Sequence, residues 1–175
     1  VCFDPYFSPQ KKINIFFSEI NLTTGTKIDL KPIKNDRDPM PHNVVYNKKI
    51  YVSSYGAIDV LDCETNTLED RIMIDHDFYP NADFDMACLN DFIYVAGGQT
   101  NNGYAIAAFR RYCIKTKQWI SLGSMNKARR SFKLIALNNH LYAIGGEDST
   151  VERYDLEKDV WEFVSSVSNN TYLRS

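Results

Sequence analysis

A chain of 175 residues, 44% hydrophobic and 13% aromatic, is long enough to bury a core of its own. Eight glycines and six prolines exclude a collagenous or disordered chain. A formal net charge of −2, with Lys and Arg spread along the sequence, gives no electrostatic reason to expect nucleic acid or an anionic membrane, and no apolar run approaches the roughly 18–20 residues a membrane span needs.

The start at Val1, without methionine or a basic-then-apolar leader, reads as a piece beginning inside a domain. Residues 13–20 and 26–33 are β-rich runs around a turn. Residues 35–41 form a polar loop. Runs at 43–46 and 50–53, then 57–62 and 67–74, predict the next strands. A loop at 75–83 follows. Runs 84–89 and 92–96 flank Asn90-Asp91, a pair suited to a tight hairpin. After the polar loop 99–104 come runs at 105–114 and 118–122, the loop 123–130, and runs at 132–137, 141–144, 151–155 and 160–164. No segment keeps a 3.6-residue apolar period, so an all-β sandwich, barrel or propeller is expected.

Spacing decides among these. The run Phe92–Gly98 ends in Gly97-Gly98, and Leu141–Gly146 ends in Gly145-Gly146. Tyr112 precedes Trp119 by seven positions, and Tyr154 precedes Trp161 by seven. The extra length of the earlier copy falls in the loop after its glycine pair. Insertion confined to one loop type is what a repeat on a fixed scaffold allows.

A strand ending in Gly-Gly, a variable loop, Tyr, six residues, Trp and then Met125-Asn126-Lys127-Ala128-Arg129 resembles the kelch repeat. The resemblance covers 84–122 and 132–164 well and 42–74 weakly, since Ser54-Tyr55 stands where the glycine pair belongs. It implies a β-propeller of four-stranded antiparallel blades, about three and a half of them in one domain over 1–175. These are a partial blade at 1–33, blades at 42–74, 84–122 and 132–164, and a tail at 165–175. A closed propeller has four or more blades, so the chain reads as a fragment of a larger ring. Gly97, Gly98, Gly145 and Gly146 would end strands where a Cβ has no room. Tyr112, Trp119, Tyr154 and Trp161 would pack between blades.

The chemistry-bearing residues offer little for catalysis. Four cysteines lie far apart, without the spacing of zinc or thioredoxin motifs, and read as small buried hydrophobes in a reducing cytosol. His42, His76 and His140 have no metal-ligand spacing. The cluster Asp75, Asp77, Asp83 and Asp85 reads as a solvated loop. No nucleophile elbow or phosphate loop is present. The reading is therefore no enzyme, no cofactor and no metal.

Loops are the better candidates. In a four-stranded meander the second-to-third-strand loops and the blade-to-blade loops share one face. Expected partner contacts there are Tyr55, Tyr79, Asn102, Tyr104, Lys127, Arg130 and Asp148. Arg129 is open between a contact and a structural arginine binding loop carbonyls. The resemblance is greatest to the kelch domain of BTB-kelch proteins, leaning to a poxviral member on Asn- and Lys-rich composition. It implies a cytoplasmic protein-binding module that recruits substrates to a cullin ubiquitin ligase through a BTB region outside this chain. Actin binding is the alternative, and a copper oxidase or sugar mutarotase on the same fold a lesser one.

Overall fold

In a computed structural model the structure describes residues 42–54, 56–65, 67–74, 83–100 and 102–166, together with four short strands nearer the N-terminus. Those four are β1 (Ile13–Ile15), β2 (Ser18–Ile20), β3 (Lys27–Asp29) and β4 (Ile33–Asn35). β1 pairs with β4 and β2 with β3, both antiparallel, where the sequence predicts one hairpin.

Three four-stranded antiparallel meanders follow. The first is β5 (Asn43–Tyr46), β6 (Lys49–Ser54), β7 (Ala57–Asp62) and β8 (Thr67–Met73). The second is β9 (Phe84–Leu89), β10 (Phe92–Gly97), β11 (Phe109–Cys113) and β12 (Gln118–Ser121). The third is β13 (Phe132–Leu137), β14 (His140–Gly145), β15 (Thr150–Asp155) and β16 (Val160–Ser166). The described residues contain no helix, and the three sheets form an open, partial propeller.

Local chemistry explains the meanders. The first-to-second-strand turns hold Asn47 and Lys48, Asn90, and Asn138 and Asn139 at positive φ. Two-residue hairpin turns need that conformation, and asparagine tolerates it. The third-to-fourth-strand turns are closed by a side chain. Asp62 accepts from the N–H groups of Glu64 (2.8 Å) and Thr65 (2.9 Å), and Asp155 from those of Glu157 and Lys158, both 3.0 Å.

Alternation places one face of each sheet against the next. Tyr51, Ile58, Val60 and Ile72 of the first blade pack on Phe84, Met86, Ile93 and Val95 of the second. Ala87, Tyr94, Ala96 and Phe109 on the second blade's other face pack on Leu134, Leu141, Tyr154 and Trp161 of the third. The two tryptophans do one job in successive repeats. The Trp119 indole N–H donates to the Met73 carbonyl (2.9 Å), and that of Trp161 to the Gly123 carbonyl (3.0 Å). Each ties its blade's outermost strand to the end of the previous one. The weakly matching first blade is built like the others, because its strands keep the same pairing without the glycine pair.

One expected strand is corrected. Residues 105–108 lie outside β11, which begins at Phe109. They cross to the neighbouring linker, where the Ile106 carbonyl accepts from the Arg129 N–H (3.0 Å) and the Ala107 carbonyl from the Met125 N–H (2.9 Å). Gly97 shows why glycine ends β10. Its φ is +62°, and a Cβ there would lie 2.5 Å from both the Arg129 carbonyl oxygen and a Phe132 ring carbon.

Buried Tyr154 donates its hydroxyl to Asp159, which also accepts from the Gly123 N–H (2.6 Å). Burial first, and then Asp159, push the phenol above its ordinary range. Tyr154 and the Gly123 N–H hold Asp159 below the usual carboxylate range. The Tyr154 contribution to stability is full below the unfolded phenol pKa of about 10 and drains as pH rises past it. The Asp159 contribution is full above about pH 4 and drains as pH falls. Urea midpoints against pH should fall at both ends, with Tyr154→Phe flattening the alkaline limb and Asp159→Asn the acid one.

Candidate functional site: the loop face

The face formed by the second-to-third-strand loops and the blade linkers holds most of the residues singled out in the sequence. Tyr55 and Tyr79 lie outside the described residues. The others divide sharply by burial.

Arg129 is corrected out of the contact set. It is 1% exposed, and its guanidinium is spent on the fold. Nε and Nη2 donate to Glu152 Oε1 at 3.2 and 2.8 Å. Nη1 donates to the Gly145 carbonyl and, at 3.0 Å, to the Thr150 carbonyl, while Nη2 also reaches Thr150 Oγ1 at 2.6 Å. Glu152, 0% exposed, accepts in turn from the N–H groups of Asn126 (2.7 Å) and Lys127 (3.1 Å). The linker between the second and third blades is thus bolted to β15 from inside. Asp148 belongs to the rim of this network. It accepts from Thr150 N–H (3.0 Å) and hydroxyl, and stands 3.4 Å from Arg129 Nη1. Burial works to raise its pKa, but Thr150 and Arg129 outweigh that and hold it low.

Sequence reasoning missed Glu152, although a signal existed. In β15 the period-two pattern turns Glu152 inward with Tyr154, and an inward carboxylate requires a cation.

Tyr104 is the opposite case, with 72% of its surface exposed. Its loop is built rather than slack. The Thr100 N–H donates to the Tyr104 carbonyl (2.8 Å), and the Gly103 N–H to the Thr100 carbonyl (2.9 Å). The Tyr104 N–H donates to Thr100 Oγ1 (3.2 Å). Arg130 braces this turn from the adjacent linker. Its Nη1 donates to the Gly103 carbonyl (2.8 Å) and to Gln99 Oε1 (3.2 Å), and its Nε pairs with Glu147 (2.8 Å). Arg130 therefore positions Tyr104, with the exposed Asn102 on the same turn and the exposed Lys127 on the linker. Among the described residues, no three His, Cys, Asp or Glu side chains gather so as to hold a metal ion.

The opposite face carries one chemical contrast. In the third-to-fourth-strand turns, Cys113 stands where the other blades have Asp62 and Asp155. The Thr116 hydroxyl, then the Thr116 and Lys115 N–H groups, hold its thiol below the ordinary range. Burial, followed by the charge of Asp91, pushes Cys88 up to about 11. Iodoacetamide near neutral pH should alkylate Cys113 about tenfold or more faster than Cys88, as read by mass spectrometry of timed digests. Equal rates would contradict the contrast.

Comparison with known proteins agrees with this architecture. A family model described as Kelch motif matches residues 128–168. Over 96 residues, half of this chain, the sequence is 34% identical to Kelch-like protein 26 of Mus musculus and 36% identical to Kelch-like protein 36 of Bos taurus. The chain carries a kelch-repeat domain. It is most like those of the kelch-like proteins. Kelch domain-containing protein 7A of Mus musculus is 42% identical over 79 residues, 43% of this chain. The matched stretch spans 16% of the length of each of the first two relatives and 9% of the third. The solved structure of YjhT superposes with a TM-score of 0.62 at 13% identity, covering 77% of this chain and 53% of that one. That likeness speaks for the fold of the kelch-repeat domain alone.

Proposed function

We propose that this kelch-repeat domain binds a target protein on its loop face, without catalysis, as the substrate-recruiting part of a cytoplasmic BTB-kelch adaptor for a cullin ubiquitin ligase. The ligase contact would lie in a BTB region outside this chain. The observation that carries the loop-face reading is Tyr104, 72% exposed on a turn that Thr100 closes and Arg130 braces. A large, exposed aromatic with a polar tip is the kind of side chain that anchors protein interfaces, and its turn is already shaped, which lowers the ordering cost of binding.

Partners captured by the chain should be lost when Tyr104 is replaced. Tyr104→Ala is expected to weaken capture by about 2 kcal/mol, or roughly 30-fold. Arg130→Ala should weaken it less, because it loosens the turn without removing the anchor. Quantitative pull-down with wild-type and variant chains reads both effects. If the double variant retained every partner at wild-type strength, the assignment of this face would fail. Cullin co-purification with the full-length protein tests the adaptor role separately.

A further inference from the structure

The three innermost strands, β5, β9 and β13, each have a sheet neighbour on one side only. Their free edges line a cleft of about 450 Å³ on the hub side of the blades. The repeat register puts one strand position of each blade at the same level of this cleft. Asp85 pairs with Ala96, Lys133 with Ile144, and the His42 carbonyl accepts from the Ser53 N–H. His42, Asp85 and Lys133 are thus one position in three successive repeats, and they are the charged or titratable side chains among the lining residues apart from Cys88.

Their contacts are unequal. Asp85, which the sequence places in a solvated acidic loop, is buried and bonded to backbone on both oxygens. Its Oδ1 accepts from the Met86 N–H (2.9 Å) and lies 2.9 Å from His42 Nδ1, and its Oδ2 accepts from the Leu134 N–H (2.8 Å). The carboxylate satisfies edge amides of two neighbouring blades, which would otherwise lie unpaired. Lys133 Nζ stands 3.4 Å from the same His42 Nδ1. A carboxylate only accepts and an ammonium only donates. Nδ1 lies within reach of both groups, and even where it accepts one Lys133 proton the ammonium keeps two of its three donors. The ammonium faces the cleft with donors to spare.

The geometry points to a small-oxyanion site in this cleft, in which a carboxylate or phosphate oxygen accepts from Lys133 Nζ beside the His42 ring. Charge-assisted bonds of this kind are stronger than neutral ones, and the cleft has room for the anion with its water. The Asp85 carboxylate is directed at the Met86 and Leu134 N–H groups rather than at Lys133. The site lies on the inner strands and does not depend on Tyr104 or the loop-face reading.

The test uses the intact chain and its three histidines as reporters. Ring resonances are assigned with His42→Asn and His140→Asn. Inorganic phosphate and succinate are titrated separately at constant pH, against sodium chloride of matched ionic strength. The expected result is a saturable shift of the His42 ring with the His140 ring unmoved. Saturation by one anion identifies the ligand as phosphate or carboxylate, and saturation by both supports a general oxyanion site. Lys133→Met should weaken the response about tenfold or more, Lys133→Gln likewise, and Lys158→Met, on an exposed third-to-fourth-strand turn, should leave it unchanged. No saturable His42 shift in the wild-type chain would overturn the proposal whatever the variants do. An equal response in folded Lys133 variants would overturn it as well, marking an adventitious ion only.

Discussion

Arg129→Ala is expected to destabilise the domain by about 3–5 kcal/mol, the cost of leaving a buried charge without its partner. Glu152 would remain, fully buried, with two linker N–H groups but no cation. The carbonyls of Gly145 and Thr150 would lose a donor at the same time. Against a typical total of about 5–15 kcal/mol, such a loss is large. Urea unfolding followed by circular dichroism measures it, and hydrogen exchange should show β13–β16 opening first, because the network ties the linker to that blade. The double variant Arg129→Met with Glu152→Leu should recover only part of the loss, since it removes both charges and retains volume but leaves the Asn126 and Lys127 N–H groups and the Gly145 and Thr150 carbonyls without these partners. A single variant within about 0.5 kcal/mol of wild type would mean that the network adds nothing to the fold.

Trp161→Ala should cost a similar amount, about 3–5 kcal/mol. Trp161 is 5% exposed and stands edge-on to Phe109 at 4.9 Å between ring centroids, with Tyr154 at 5.2 Å. Removing it opens a cavity in the seam between the second and third blades and releases the Gly123 carbonyl. Trp161→Phe keeps a ring and loses the N–H, so its cost should stay near 1 kcal/mol. Trp119→Ala should cost less than Trp161→Ala. Trp119 is only half-buried, and its closest aromatic contact is Tyr112 at 5.2 Å. Equal losses at the two tryptophans, measured by chemical unfolding, would contradict this burial argument.

Repeat spacing and strand alternation are local properties, and they carried far. The glycine pairs, the Tyr-to-Trp interval and the asparagine turns place the three meanders and their order, because each depends on residues close in the chain. The inward face of each strand follows from the same alternation. Residues 105–108 escaped that logic. Their apolar character suits a strand, but their carbonyls are claimed by a linker some twenty residues further on. Arg129 and Arg130 show the limit most plainly. They are adjacent and chemically identical, yet one is buried on Glu152 and the other braces an exposed turn through Gly103. Asp85, among acidic neighbours, becomes a buried link between blades because an edge amide of β13 approaches it. The linear pattern determined the sheets and their copies. Only packing of one blade on the next decided which charges are interior, since burial and charge pairing depend on groups far apart in sequence that the closing sheets bring together.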